Sequence, residues 1–504
     1  MEAITMGFGL IASDPFSILL LFLGVFLGIV FGCIPGLTSV LGVTLIIPFT
    51  FTMTSVQGMA ILLGIFVGGI SGGLITAILL NIPGTPASIV TCWDGYPMAK
   101  AGRPGDALTL GVYASTFGGL FSAFALLLIA PPLSRAALAF GPWEYFALAT
   151  MGISLVVAMA GKSILKGLIS AFLGILLSAV GMDGLTGVMR LTFNQWQLQG
   201  GIATIALLMG LFAITEIMIQ TAQLGKGKKG KLVLDKVSIF PKIADLKGTK
   251  MAFFVSSVIG TFCGLLPGIG QTTGSMLAYN QVRQNSKQSE KFGTGTPEGI
   301  IASETANNAV NGGALIPLIT LGIPGDLVTA ALIGGFLIHG LQPGPLFFKE
   351  HLDLAGAIMI LYFFSNIIMY AMEIGFMKLF IKIINVPLYF LFPLIILTCT
   401  MGVLTINNRI FDVWVLMIFG LVGYCLYEFE VPLTPLILGF ILGPLIELNF
   451  RTALIGSHGS FAELFSKPLA LTFIFISIIF LFMPYIRTWF EKIFRTVKSR
   501  MQAS

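Results

Sequence analysis

The sequence predicts an all-α polytopic membrane protein, built from two homologous, inverted repeats whose Pro-Gly-broken helices meet at a central site, in about 11–14 membrane segments. Three observations predict it. Hydrophobic residues make up 56% of the 504 positions and charged residues 10%, against about 25% charged in a soluble protein, and the mean hydropathy is +0.96. The stretch from Pro15 to Trp93 carries no charge, whereas about 20 apolar residues already span a hydrocarbon core of roughly 30 Å. Glycine and proline landmarks also recur in the same order in the two halves. The 60 glycines bear on this, because each costs about 1 kcal/mol relative to Ala inside a helix and is kept where helices approach closely or break. A transmembrane β-barrel needs alternating segments of about 10 residues, and the sequence shows none.

Taken in order, residues 1–222 read as a first transmembrane repeat and 223–249 as a basic cytoplasmic linker; 250–486 read as a second repeat with extra span or spans, and 487–504 as a basic cytoplasmic tail. The N-terminus carries Glu2 and Asp14 and no Lys or Arg before Lys100. It lacks the positive n-region of a cleaved signal, so the first span is expected to remain in the mature protein. Between Lys226 and Lys250, eight lysines face two aspartates and account for the whole net charge of +6. The positive-inside rule puts this linker and the tail in the cytoplasm and the N-terminus outside, which requires an odd number of spans before the linker. Binding of anionic lipid by the linker stays open beside a plain topological role. Nothing in the chain resembles a nucleic-acid-binding module. Five scattered cysteines without a CxxC pair, and three histidines, indicate neither a disulfide framework nor a metal site, and no resident cofactor is expected.

The repeats rest on spacing. Gly28, Gly32, Pro35, Gly36 and Gly42 recur as Gly260, Gly264, Pro267, Gly268 and Gly274, each 232 residues on. Gly72-Gly73 recur as Gly312-Gly313 after 240 residues, and Ile82-Pro83-Gly84 as Ile323-Pro324-Gly325 after 241. The eight residues gained between the blocks fit the longer polar connection from Arg283 to Pro297. Each Pro-Gly pair removes a helical hydrogen bond and permits unusual backbone angles, so it breaks a span partway. Free backbone groups are tolerated in a membrane only when buried in protein or lining a wet cavity. Duplicated halves with such breaks mark secondary carriers, whose half-helix N-termini suit an anion such as a carboxylate. A role as ordinary helix ends is the alternative for any single pair.

At these blocks the chain resembles the large membrane subunit of the tripartite tricarboxylate transporters, the TctA family. The resemblance rests on GCIPGLTSVLGVTLIIPFTF from Gly32, GGLITAILLNIPGTPASIVTCWDGYPMAKAGRPGDAL from Gly72, GLLPGIGQTTGSMLAY from Gly264, EGIIASETANNAVNGGALIPLITLGIPGD from Glu298, and HGLQPGPLFF from His339. From about Leu352 onward it adds little. It implies ion-gradient-driven uptake of small organic carboxylates, citrate-like tri- or dicarboxylates, across a bacterial inner membrane, with Na+ or H+ as the coupling ion. It also implies two partners, a small four-helix membrane subunit and a secreted substrate-binding protein. The N-terminus would then be periplasmic and the C-terminus cytoplasmic.

The expected substrate-binding residues flank the breaks. In the first copy they are Pro35, Gly36, Thr38, Ser39, Asn81, Pro83, Gly84, Thr85 and Ser88; in the second, Pro267, Gly268, Gln271, Thr272, Thr273, Asn307, Asn311, Pro324 and Gly325, with Asn308 adjoining. Hydroxyls and amides satisfy carboxylate oxygens without burying a fixed charge, although they equally bond within their own helices or glue helices together. Gly72-Gly73 and Gly312-Gly313 read as close helix contacts. Glu304, two turns before Asn311, and Asp326, directly after the second break, are the ion-coupling candidates. Asp326 also suits a helix cap. Trp93-Asp94-Gly95-Tyr96 reads as a turn, with Lys100 and Arg103 interfacial. An arginine clamp from Arg103, Arg190 or Arg409 stands beside a packing or topology role for each.

An enzyme is not expected: no HExxH or GxxxxGK[ST] pattern occurs, and the last absence argues against ATP as the driving force. A carboxylate or anion channel working without alternating access is the principal alternative, and a purely structural subunit leaves the duplicated breaks without a purpose.

Overall fold

The structure, a computed structural model, describes residues 2–159, 163–223, 237–384 and 386–482. The linker lysines from Lys226 to Lys236 and the tail 487–504 lie outside the described residues. The described chain is helical apart from short connections and one two-residue strand pair. Among the described residues, 8 helices are long and apolar enough to cross a membrane, accompanied by shorter apolar helices.

The first copy begins with α1 (Glu2–Ser13) and α2 (Phe16–Cys33), followed by α3 (Ser39–Thr50) and α4 (Ser55–Leu80). A short 3-10 turn at Pro86–Ser88 leads into α5 (Ile89–Lys100) and then α6 (Pro104–Ala137). Next come α7 (Pro142–Met159), α8 (Ile164–Ser178) and the strands β1 (Gly181–Met182) and β2 (Met189–Arg190), paired antiparallel with Gly181 opposite Arg190. The following span is α9 (Thr204–Met209) and α10 (Thr215–Gln223) joined by a π-helical turn at Gly210–Ile214. After the single turn α11 (Ile243–Leu246), the second copy runs through α12 (Lys250–Leu265), α13 (Gly270–Asn285), α14 (Pro297–Leu321) and α15 (Leu327–Ile338). The described residues then run through α16 (Pro345–Glu350), α17 (Leu352–Ile383), α18 (Leu388–Asn407), α19 (Ile410–Glu428), α20 (Leu433–Gly456), α21 (Ala462–Phe465) and the apolar helix Pro468–Phe482.

The breaks follow from proline and glycine chemistry. A residue before proline is pushed out of the helical region, and both Ile34 (φ −92°, ψ 113°) and Leu266 (φ −95°, ψ 116°) end their helices extended. Gly36 (φ 89°) and Gly268 (φ 80°) then turn the chain through the left-handed region, which glycine enters without steric cost. At the second break α4 closes on left-handed Asn81 (φ 56°) and α14 on left-handed Gly322 (φ 72°). Three of the breaks separate a longer helix from a shorter one, whereas α12 and α13 have 16 residues each. The connection between α13 and α14 is also longer than that between α3 and α4, where the sequence spacing placed the extra residues.

The chain forms two compact units, one of Met1–Leu138 with Ala203–Cys425 and the other of Ala139–Ile202 with Leu426–Ser504. This spatial division differs from the division into sequence halves, because the first unit holds the broken-helix blocks of both. In that unit α4 and α14 are central and buried along nearly their whole length; α4 is apolar nearly all round, as a buried helix is, whereas α14 carries Glu304 and three asparagines into the interior. Glycine lets α2 lie against α4. A Cβ on Gly24 or Gly28 would come within 2.3 Å of Ile61 O or 2.6 Å of Ile65 O, and on Gly64 or Gly68 within 2.7 Å of Leu21 O or 2.3 Å of Val25 O. The contact of α12 with α14 is built alike, with Gly260 against Ala306 O and Gly313 against Thr261 O, at 2.5 and 2.3 Å. Close backbone approach supplies dispersion contacts where lipid offers no hydrophobic driving force.

The second unit packs α20 against α7 and α8. Trp143, Ala147, Ala453 and Ala470 form a buried cluster there. Beside the strand pair, Arg190 and Arg451 bridge Asp183 and Glu447. Hydrogen bonds from Arg451 first, and from the Thr186 and Leu185 amides, hold the Asp183 carboxyl well below its usual range.

Candidate functional site

Within the second copy the two breaks touch: Gly268 N–H donates to Gly325 O at 2.8 Å, and a Cβ on Gly325 would lie 2.5 Å from Gly264 O. The first copy repeats the approach, with Gly84 placing an added Cβ 2.4 Å from Gly32 O. The copies also interlock, since α3 packs on α15 while α13 packs on the Pro86–Ser88 turn and α5. Pro35, Gly36, Pro83, Gly84, Pro267, Gly268, Pro324 and Gly325 thus belong to two break pairs flanking α4 and α14.

Short helices after the second breaks start identically. Ser88 Oγ accepts from Thr85 N at 3.2 Å and donates to Thr85 O at 2.8 Å; 241 residues on, Thr329 Oγ1 accepts from Asp326 N at 2.9 Å and donates to Asp326 O at 2.9 Å. Asp326 Oδ1 further accepts from Thr329 N at 2.7 Å. The capping role is therefore present, and a second contact accompanies it. Gln271 Nε2 donates to Asp326 Oδ2 and, at 3.2 Å, to Asn311 Oδ1. In the first copy the positions matching Gln271 and Asp326 are Ser39 and Thr85. Both are buried, and neither hydroxyl oxygen has a partner among the described residues.

A second cluster surrounds Glu304 on α14, which is fully buried. Its Oε1 accepts from Thr91 of α5, and its Oε2 accepts from Ser115 of α6 at 2.9 Å and from Asn307 at 3.4 Å. Asn308 turns its amide to Glu304 O at 3.2 Å. Oδ1 of Asn307, Oδ1 of Asn308 and Oγ1 of Thr305 have no partner among the described residues. No salt bridge reaches Glu304 or Asp326 among the described residues. Buried carboxylates without counter-charges, ringed by neutral donors and free oxygens, suit a hard monovalent cation or a proton, and the amide and hydroxyl donors suit an anion.

Thr38 is the N-cap of α3, accepting from Leu41 N at 3.2 Å. Thr272 and Thr273 lie half-buried in the first turn of α13. Asn81 is exposed and serves the backbone, holding the left-handed position that Gly322 holds in the second copy. Gly73 abuts Thr85 and Gly312 abuts Ser122, so the paired glycines are close contacts. Each arginine considered as a clamp is engaged by carboxylates: Arg103 by Asp106 and Asp245, Arg190 by Glu447 and Asp183, and Arg409 by Asp412. The Trp93-Asp94-Gly95-Tyr96 segment is helical, within α5, and not a turn. Buried Asp94 overrides the local turn propensity by accepting from Tyr279 Oη at 2.7 Å and from the amides of Gly293, Gly295 and Thr296 at 3.0, 2.8 and 2.8 Å.

The sequence model of the tripartite tricarboxylate transporter TctA family matches residues 18–438, well past Leu352. The chain belongs to the TctA family. It is similar to an uncharacterized 52.8 kDa protein in the TAR-I ttuC' 3' region of Agrobacterium vitis, 34% identical over 486 residues and 96% of each chain. An uncharacterized protein in the TAR-II ttuC' 3' region of the same organism is 33% identical over 238 residues, 47% of this chain and 98% of its own. No solved structure matches. Membership in the TctA family makes the chain a membrane subunit of a multicomponent transporter.

The TctA-family block holds polar groups that motif reading missed. Thr91 and Ser115 bind Glu304, Ser122 shares a 3.0 Å hydrogen bond with Tyr362, and Ser71 donates to Glu373 at 3.0 Å. Ser71 was findable, because it lies 240 residues before Asn311 in the repeat register. Glu373 had a signal too, as the single charged residue between Asp353 and Lys378.

Proposed function

We propose that this chain is the large permease subunit of a binding-protein-dependent carrier that takes up small organic carboxylates, citrate-like tri- or dicarboxylates, by coupling to an ion gradient. The observation that carries the reading is the convergence of both copies' Pro-Gly breaks on buried neutral donors, next to buried carboxylates without counter-charges. Ser39, Thr85, Gln271, Asn307 and Asn311 would contact the substrate's oxygens, aided by the N-termini of the short helices. Glu304 and Asp326 would hold Na+ or H+, because entry of a multiply charged anion against an inside-negative potential needs compensating cations. The two copies would be inverted, so that the same break opens to opposite sides in alternation. A small four-helix membrane subunit and a secreted binding protein would complete the assembly in a bacterial inner membrane.

The test is uptake of labelled citrate, succinate and malate by cells making the chain with its partner subunits, with and without imposed Na+ and pH gradients. Saturable, gradient-dependent accumulation is expected. Passive equilibration that ignores both gradients would establish a channel instead.

A further inference from the structure

A carboxylate outside the two clusters carries a different chemistry. Glu373 on α17 is fully buried, and its one side-chain donor is Ser71 Oγ of α4, 3.0 Å from Oε2. Its other oxygen, Oε1, has no partner among the described residues. No salt bridge reaches it among the described residues. Glu304 differs: three side-chain donors cover both of its oxygens. The titratable groups acting on Glu373 from packed elements are Glu304 of α14 and the Cys33 thiol at the end of α2, and neither supplies positive charge. An isolated carboxylate held in a membrane interior by one hydrogen bond takes up a proton rather than bear the desolvation cost of its charge.

The helix around Glu373 is bent. Backbone angles leave the helical range at Phe376 (φ −111°, ψ 15°), one turn beyond Glu373, and an added Cβ on neighbouring Gly375 would meet nothing within 4 Å. No proline causes this bend, which divides the part of α17 that carries Glu373 and lies against α4 from the end of the helix. Movement there would admit water to Glu373, where the charged form becomes stable.

We propose that Glu373 is a proton-carrying site, protonated while α4 and α17 are closed together through Ser71 and deprotonated where the α17 bend opens to water. One proton is bound and one released per cycle, with no other bond made or broken. The inference rests on the carrier reading for its role in transport, but not for the protonation itself.

Two measurements separate these. Infrared spectra of the full chain in lipid, titrated with pH, should show a protonated carboxylic-acid carbonyl band at neutral pH that is absent from Glu373→Gln. An unchanged band in that variant would overturn the proposal whatever the chain transports. In uptake with the partner subunits present, Glu373→Gln should respond equally to the presence and absence of a pH gradient, while wild type accumulates more with it. A wild-type gradient response retained in the variant would also overturn the proposal. If wild type takes up none of the three carboxylates, the carrier reading fails and the infrared result still decides Glu373. Should Glu373→Gln fail to fold, Ser71→Ala removes the donor that favours the charged form, and the carbonyl band should then persist to higher pH. A band unmoved in Ser71→Ala would count against the site.

Discussion

The side-chain amide of Gln271 donates to the carboxylate of Asp326, joining the start of the short helix after one break to the cap of the short helix after the other. The same nitrogen reaches Asn311 on α14. Repeat spacing puts Ser39 and Thr85 in the matching places, with a capping turn of the same form at Thr85 and Ser88. The first copy makes this turn with the Thr85 side chain unbonded among the described residues, so the carboxylate of Asp326 is an addition in one copy.

Asp326→Asn isolates that addition, because Asn caps a helix about as well as Asp. The variant is expected to fold and reach the membrane, and to lose roughly tenfold or more in gradient-driven uptake, a loss of about 1.4 kcal/mol in transition-state stabilisation. Asp326→Ala should in addition cost about 1 kcal/mol of stability through the lost cap. Uptake by Asp326→Asn with wild-type dependence on both gradients would falsify a coupling role and leave only the cap.

The breaks themselves should be sensitive at Gly36 and Gly268. Both sit at positive φ, where an L side chain costs on the order of 1–2 kcal/mol, and a Cβ on Gly36 would also meet the side chain of Gln220 within 2.2 Å. Alanine at either position should lower uptake more than membrane expression. Gly9→Ala is the control, since its Cβ would meet nothing within 4 Å. Normal uptake by both break variants would reduce the Pro-Gly pairs to helix ends.

Much of this architecture was legible in the chain because glycine and proline act through the backbone, and their spacing survives whatever the side chains do. The offsets that matched Pro35-Gly36 with Pro267-Gly268 also match Ser39 with Gln271, Thr85 with Asp326 and Ser71 with Asn311, although only glycine and proline invited the comparison. Asp94 was misread for the opposite reason. Local preference for a turn at Trp93-Asp94-Gly95-Tyr96 is worth little against a carboxylate accepting four hydrogen bonds from a segment some 200 residues away. Thr91 and Ser115 carried no pattern, because a lone hydroxyl on an apolar helix more often bonds to its own backbone.

Asp94 should consequently be among the most costly single positions to change. Asp94→Ala leaves the Tyr279 hydroxyl and three backbone amides without their acceptor. Each unsatisfied buried donor costs about 1–3 kcal/mol. Solubilised Asp94→Ala is expected to unfold at clearly lower temperature than wild type, with Asp94→Asn in between, because one amide oxygen still accepts while the amide nitrogen opposes a donor. Thermal stability equal to wild type in Asp94→Ala would show that the loop before α14 finds other acceptors.

Orientation in the membrane rests on charge alone and is the most direct property to measure. With the basic linker and tail inside, single cysteines near position 230 and after Arg487 should resist an impermeant thiol reagent in intact cells, while one beside Glu2 should react. Four of the five native cysteines are buried and Cys425 is exposed, so only Cys425 needs replacing before labelling. An inverted pair of copies requires an odd number of crossings between Glu2 and the linker, and labelling of both ends from outside would remove that requirement. The result also fixes the direction of every later argument, because the side from which the α17 bend opens decides whether Glu373 would load its proton outside or release it there.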